Sequence, residues 1–265
     1  MFHLADGPCQ VAGVTAGLAS LSQRPIALIA EEFCGRHKGK ASLKTVDAVA
    51  KSFLKFTRAE FENHYRGSKI PASLREAPEF LLGGYGPNDE FPTLFRVNVR
   101  NNKLEKEFHG GGTGIAWNAQ SDVVERVLRG YDRQLRAAVD NQLQKGIKIY
   151  TDEMNKAVLD IISQILGKLK RPMPKGVKTT LPAVNPLALP WDSLRLDVGY
   201  GNLPLQEAVH FASYLVLMQS GRYRFAKGVA TVGRRTHVGV ITKDKGFRKL
   251  NEPELAHKWT GFADD

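Results

Sequence analysis

The feature that most constrains the fold is the order in which strand-like and helix-like segments follow one another. A short apolar segment, Gln10–Leu18, reads as a buried strand. Two helical patterns, a group of strands, further helical patterns and a closing strand at Thr236–Thr242 follow it. Because strands and helices are grouped rather than strictly alternating, the order favours an α+β fold with antiparallel sheets over a doubly wound parallel sheet.

Helical spacing of apolar residues predicts the positions of the helices. One helix is expected from about Leu43 to Tyr65 and one after an N-cap at Asp122, with an apolar stripe that continues to Val139. Two more are expected at Thr151–Lys170 and near Pro204. The helix at Thr151–Lys170 carries an apolar stripe that we expect to pack on the domain: Met154, Val158, Ile161, Ile165 and Leu169.

Strand predictions in the middle of the chain depend on alternation. Phe80–Tyr85 is an apolar run that ends in glycines. In Leu94–Arg100 apolar and polar residues alternate, which predicts a strand with one buried face. Asn101-Asn102 is typical of the turn after that strand.

A proline-rich segment, Arg171–Trp191, interrupts the helical patterns. Proline cannot donate a backbone hydrogen bond, so we expect an extended surface connector there. Together with the preceding helix it forms an expected insertion of about 151–197 in an otherwise single domain, 1–265. Its lysines and arginines predict an exposed basic rim, suited to an acidic partner or a neighbouring subunit.

Composition narrows the classes of function. The chain has 265 residues and a net charge of +11, a balance that favours anionic partners. Its basic residues are scattered and no stripe of arginine and aromatic residues marks a base-stacking platform, so nucleic acid is not the expected main partner. Its two cysteines give no disulfide framework, and no apolar run approaches the ~20 residues of a membrane span. A soluble cytoplasmic protein is therefore expected.

Four segments in a fixed order carry a resemblance to a known family. They are Gln10–Ser20 (QVAGVTAGLAS), Phe80–Arg100 (FLLGGYGPNDEFPTLFRVNVR), Gly110–Ala119 (GGGTGIAWNA) and Gly228–Phe247 (GVATVGRRTHVGVITKDKGF). Together they resemble the N-terminal-nucleophile hydrolases of the proteasome and HslV type, with the front end missing. The resemblance implies a four-layer αββα sandwich of antiparallel sheets, N-terminally incomplete here.

The resemblance also implies a mechanism whose first half this chain lacks. In that family an N-terminal Thr, Ser or Cys attacks a carbonyl group, and an Asp and a Lys support it. Phe2-His3-Leu4 matches the stretch just after the family's lysine. Nucleophile, Asp and Lys therefore have no counterpart here, and we expect the chain as given to have no peptidase activity.

Two positions match the supporting half of the family's site. Gly17 corresponds to the glycine whose N–H forms the oxyanion hole, and it also suits a tight strand-to-helix turn. Thr113, in Gly112-Thr113-Gly114, corresponds to a serine that supports the nucleophile's amine, and it also suits a turn residue that satisfies its own backbone. A third supporting segment is altered, because Val229 and Val232 stand where the family has polar residues.

The remaining motifs add no other chemistry. The seven histidines lack the spacing of a metal site, Gly110–Gly114 lacks the phosphate-loop pattern, and Ser20 and Ser22 lack a nucleophile-elbow context. No cofactor is expected. Three hypotheses stay open: an incomplete peptidase or amidase, a non-catalytic structural or ring-forming subunit that forms a homo-oligomer, and a basic nucleic-acid-binding protein.

Overall fold

A computed structural model of the chain describes residues 1–5, 9–37, 43–174, 189–225 and 237–250. Within these ranges the strands, in chain order, are β1 (Phe2–Ala5), β2 (Gln10–Ala16), β3 (Ser20–Leu21), β4 (Arg24–Pro25), β5 (Glu79–Tyr85), β6 (Thr93–Asn98), β7 (Lys103–Phe108), β8 (Gly239–Thr242) and β9 (Gly246–Lys249). The helices are α1 (Ile26–His37), α2 (Val46–His64), α3 (Asp122–Arg129), α4 (Arg133–Lys168) and α5 (Leu205–Phe225).

Five strands form one antiparallel sheet in the order β1-β2-β5-β6-β7, and β3–β4 and β8–β9 are separate antiparallel hairpins. This mixed helical and antiparallel architecture confirms the coarse α+β prediction. The four-layer αββα sandwich that the resemblance implies remains a proposal.

The core lies between one face of the five-stranded sheet and helices α1 and α2. Phe33 of α1 and Phe53 of α2 contact each other with ring centroids 5.2 Å apart, and Phe53 also contacts Phe80 of β5 at 5.1 Å. All three rings are fully buried. The alternation predicted for β6 is confirmed, because Phe95 and Val97 lie on this buried face.

The β8–β9 hairpin packs against β2 and β5 of the same sheet. The ring of Phe247 stacks on His3 of β1, with centroids 6.1 Å apart. His3 alternates with the buried Phe2 and Leu4, so the hairpin covers part of the sheet face opposite the helices. Helices thus cover one side of the sheet and a two-stranded hairpin covers part of the other.

The chain divides into two compact units. The first comprises 1–121 and 198–265 and contains the sheet, α1, α2 and α5; the second is the continuous segment 122–197. The predicted insertion of about 151–197 ends at the same residue as this second unit, but the unit begins earlier, at Asp122.

Helices of the second unit differ from the prediction. The helix that starts at Asp122 ends at Arg129, because Gly130 takes a φ of +77° and Asp132 caps a new helix by accepting a hydrogen bond from the Leu135 N–H at 2.8 Å. That new helix, α4, runs for 36 residues without a break. Thr151 starts no helix, because its hydroxyl donates to the Ile147 carbonyl one turn earlier, at 2.8 Å.

The predicted packing of the apolar stripe on the domain is wrong. None of the residues of α4 is buried. Ile161, Ile165 and Leu169 keep 55%, 52% and 61% of their surface exposed. Most of the proline-rich connector, 175–188, lies outside the described residues, and so do Val229 and Val232.

Candidate functional site

Gly17 occupies a turn that only glycine fits. It directly follows β2 and has a φ of +77°. A Cβ atom there would stand 2.6 Å from the carbonyl oxygen of Ala77. The positive φ and the closeness of the Ala77 carbonyl both require glycine at position 17. This holds whether or not the Gly17 N–H group has a role of its own.

Thr113 directly follows a second glycine turn, His109–Gly112, which comes after β7. Gly110 and Gly111 have φ of +60° and +85°, and the Gly112 N–H donates to the His109 carbonyl at 3.2 Å. The Thr113 side chain is exposed. Its hydroxyl is 3.5 Å from the point that a Cβ at Gly201 would occupy, so the turn lies beside the short helical turn Tyr200–Asn202.

Strand register places these two turns at opposite ends of the sheet. Ala16, next to Gly17, pairs with Glu79 at the start of β5, whereas Phe108, which leads to Thr113, pairs with Leu94 beside the end of β5. Leu94 in turn pairs with Gly83, so the two ends are about 13 Å apart along β5 at ~3.3 Å per residue. The three strand spacings from β2 to β7 add about 14 Å sideways at ~4.8 Å each, which gives about 20 Å in all. The structure therefore does not bring Gly17 and Thr113 to one reacting atom.

The two cysteines are free thiols, as expected. Burial and the neighbouring Asp89 carboxylate raise the pKa of Cys9 to about 11. The Cys34 thiol donates to the carbonyls of His3 and Leu4 at 3.3 and 3.2 Å. Since the thiolate is the reactive form of cysteine, this raised pKa disfavours Cys9 as a nucleophile near neutral pH.

Asp89 belongs to a loop tip for which the sequence indicates only a solvated role, and the structure gives it a further one. Its carboxylate accepts a hydrogen bond from the Gly86 N–H at 2.8 Å. This closes the turn between β5 and β6. The spacing of glycine and aspartate in Gly86-Pro87-Asn88-Asp89 is the sequence signal for such a turn.

A polar cluster around the β3–β4 hairpin was not predicted. The Arg24 guanidinium bonds Glu60 of α2 and also Glu32 of α1, the latter at 2.7 Å. The Ser22 N–H donates to Nδ1 of His64 at 2.8 Å. These bonds fasten the hairpin to both helices, and the Ser22 bond uses the His64 nitrogen that a general base would otherwise offer at this position.

The turn of this hairpin is conformationally unusual. Ser22 and Gln23 both have positive φ, 48° and 65°, although neither is glycine. Paired positive φ values match the twist that a two-residue hairpin needs, but Asn and Gly are its usual residues. The composition of Leu21–Arg24 therefore gave no signal for the hairpin.

The sheet face opposite the helices is polar over β6 and β7. Arg96 pairs with Glu107 at 2.5 Å and donates to the Trp117 carbonyl at 3.0 Å. Asn98 donates to Glu79 at 3.1 Å. These groups satisfy one another, as partly buried polar groups must, and they serve the sheet rather than a reacting centre.

The two edge strands of the five-stranded sheet differ in charge. β7 carries charges along its length, at Lys103, Glu105, Lys106 and Glu107. β1, Phe2-His3-Leu4-Ala5, carries no acidic, lysine or arginine side chain. Charged residues on an edge strand discourage further pairing, so β1 is the edge that better suits an additional strand.

Metal clusters and membrane-spanning helices are both absent from the described ranges. No group of three or more His, Cys, Asp or Glu residues there could hold a metal ion. Among the helices of the same ranges, none is long and apolar enough to cross a membrane.

No protein-family model, curated protein or solved structure matches this chain. The basis for a functional proposal is therefore the four segments that resemble proteasome-type proteins, together with the α+β architecture.

Proposed function

We propose that this chain is a non-catalytic structural subunit with a proteasome-like fold. The order of its four family-like segments supports the proposal. So does the sheet, which α1 and α2 cover on one face and β8–β9 covers in part on the other. A four-layer sandwich completed by additional strands, of this or another chain, belongs to the same proposal.

The observation that carries the proposal is the separation of Gly17 and Thr113. An oxyanion donor must stand about 3 Å from the developing charge, and a group that supports the nucleophile must reach the same centre. The strand register puts the two turns about 20 Å apart, which argues against their serving one substrate carbonyl. For Gly17, the positive φ and the close approach of Ala77 support a structural role.

An incomplete peptidase or amidase is the second candidate. The uncharged β1 edge favours it, because a strand carrying a nucleophile would pair with such an edge more readily than with the charged edge of β7. Such an enzyme would also have to move Gly17 and Thr113 together.

The test is hydrolysis of a panel of fluorogenic peptides and amides by the purified chain. We expect turnover no higher than that of the matched variant Thr113→Val, which removes the hydroxyl and keeps the shape. Turnover that survives repeated purification and falls at least tenfold in Thr113→Val would contradict the structural role and favour the peptidase.

A further inference from the structure

Helix α4 carries an uninterrupted apolar stripe from Val139 to Leu169. Successive members lie three or four residues apart, so they share one side of the helix. The members are Val139, Leu143, Ile147, Tyr150, Met154, Val158, Ile161, Ile165 and Leu169.

Most of this stripe is exposed to solvent although it is apolar: six of its nine members are exposed, and Leu143, Ile147 and Val158 are half-buried. Tyr150 and Leu169 keep 62% and 61% of their surface exposed, and Met154, near the middle, keeps 38%. Monomeric soluble proteins rarely expose long contiguous apolar patches, and such patches mark interaction surfaces. The stripe therefore needs a partner.

The period of the stripe is slightly longer than the turn of the helix. From Ile147 the pattern returns after eleven residues at Val158 and again at Leu169. An eleven-residue repeat corresponds to about 3.67 residues per turn, against 3.6 in an undistorted helix, so the stripe winds slowly around α4 and favours a right-handed supercoil with a partner helix. The stripe is about 45 Å long at ~1.5 Å per residue.

The spacing of the stripe is symmetric about Met154. Tyr150 and Val158 lie equally far before and after it in sequence, and so do Ile147 and Ile161. The same holds for the outer pairs, which are Leu143 with Ile165 and Val139 with Leu169. A two-fold interface requires such a self-complementary surface. A residue before Met154 on one copy then contacts the residue equally far after Met154 on the other copy, and the reverse contact also forms.

We propose that α4 pairs antiparallel with α4 of a second copy of this chain, with the two-fold axis at Met154. Every apolar member of one stripe then meets an apolar member of the other at the same height. This names the partner of the structural subunit proposed above, and it rests on that proposal only for the idea of assembly.

The charges of α4 favour a second copy over an acidic partner. Successive residues are rotated by about 100° around the helix axis. Around that axis, every charged side chain between Leu143 and Ile165 lies about 100° or more away from Met154. Within that stretch the seam offers no cation to an acidic peptide or a phosphate, and at its two ends one charge of each sign, Asp140 and Lys168, lies about 40° from the same direction. An uncharged surface of the same shape, which a second copy supplies, is the complementary one.

The size of the seam is in the range of a stable contact. A strip about 45 Å long and one helix width, about 10 Å, projects roughly 450 Å² per copy before side-chain relief is counted. Interdigitated side chains raise the accessible area above this projection, toward the roughly 800 Å² per partner of specific interfaces.

Cross-linking of single cysteines tests the orientation. In a Cys34→Ser background, Met154→Cys should link to itself through a short bis-maleimide. Ile147→Cys alone and Ile161→Cys alone should not cross-link, because the same residue on the two antiparallel copies is about 21 Å apart. When the two variants are mixed, the Ile147→Cys thiol of one copy should cross-link to the Ile161→Cys thiol of the other. Asn141→Cys, on the opposite side of α4, is the control. Equal self-linking at all three stripe positions, or linking no stronger than the control, would overturn the proposal.

Molar mass tests the seam itself. With rising concentration the wild-type chain should pass from 29.3 kDa toward twice that mass in sedimentation equilibrium. Met154→Glu should weaken association at least tenfold, whereas Asn141→Glu, which adds the same charge on the far side, should match the wild type. Far-UV circular dichroism checks that both variants keep their helices. A wild type that stays at 29.3 kDa throughout, or a Met154→Glu variant that associates as tightly, would refute the proposal.

Discussion

At the residue scale, glycines and one buried aspartate fix the corners of the fold. Gly17 and Gly130 have φ of +77° each, and a Cβ on either would meet a neighbouring atom at 2.6 and 2.7 Å. Asp132, almost fully buried, caps α4 and pairs with Arg126. These residues have structural explanations that need no substrate.

Replacing Gly17 by alanine should destabilise the fold by more than about 1 kcal/mol, because φ is positive and Ala77 blocks the methyl group. Gly146→Ala is the matched control, since it lies inside α4 with nothing within 4 Å of its Cβ position, and it should be neutral or stabilising by up to about 1 kcal/mol. Urea unfolding measures both. Equal effects at the two sites would contradict the strained turn.

Asp132 should make the second unit sensitive to acid. The Leu135 N–H, followed by the Arg126 guanidinium, holds the pKa of Asp132 below its usual value. A lowered folded-state pKa gives stability that is present above the ordinary pKa of Asp, about 3.9, and is lost as pH falls through the folded value. Asp132→Ala should cost about 1–2 kcal/mol at pH 7 and flatten this acid dependence.

The Asp132 prediction has an internal control. Asp132→Asn keeps an N-cap acceptor but removes the charge, so it should retain most of the stability at pH 7 while losing the acid dependence. Unfolding of α4, followed by circular dichroism from pH 7 to pH 3, separates the two variants. An unchanged acid dependence in Asp132→Asn would show that another group is responsible.

At the element scale, periodicity predicted strands and helices well but not where helices join. The stripe of α2 is buried as expected at Val49 and Phe53, because amphipathic spacing reports a core-facing side. The break at Gly130 and the continuity of α4 through Thr151 were missed. A threonine can either cap the start of a helix or donate its hydroxyl to the carbonyl one turn earlier inside a helix, as Thr151 does. The sequence alone does not distinguish the two roles.

Contacts between distant segments were beyond prediction at this scale as well. The Arg24–Glu60 pair and the Ser22–His64 hydrogen bond join residues far apart in sequence, and no local pattern announces them. The motif of Gly17 predicted a tight turn, which its positive φ confirms, whereas Thr113 follows the His109–Gly112 turn. Their separation depends on strand register, which a single sequence does not specify.

Cys9 offers a further check on how the elements pack. Since burial and Asp89 raise the pKa of Cys9 to about 11, we expect it to resist alkylation near neutral pH. Asp89→Asn removes the neighbouring charge and should lower that pKa, so reactivity should begin at a lower pH. Iodoacetamide labelling followed by mass spectrometry in a Cys34→Ser background measures it. Rapid labelling of Cys9 at pH 7 would show that its site is open.

At the scale of the whole molecule, the chain combines a sheet whose strand register holds Gly17 and Thr113 apart with a long helix that has an exposed apolar seam. The first property favours a structural subunit, and the second gives that subunit a partner. The two are independent, because Gly17 and Thr113 belong to one compact unit and α4 to the other. If α4 does not pair, the proposed non-catalytic role therefore still stands. If the chain hydrolyses peptides, the proposed pairing of α4 still stands.

The separation of Gly17 and Thr113 is the central claim, and a spin-label distance tests it most directly. Labels are placed at Ala19→Cys and Thr113→Cys, both at exposed positions, in a Cys34→Ser background. Double electron–electron resonance should give a distance of about 20 Å or more, set by the strand register and the strand spacing from β2 to β7. Strong dipolar broadening of the continuous-wave spectrum, which appears when two labels are too close for that method, would place both turns near one centre and would contradict the structural role.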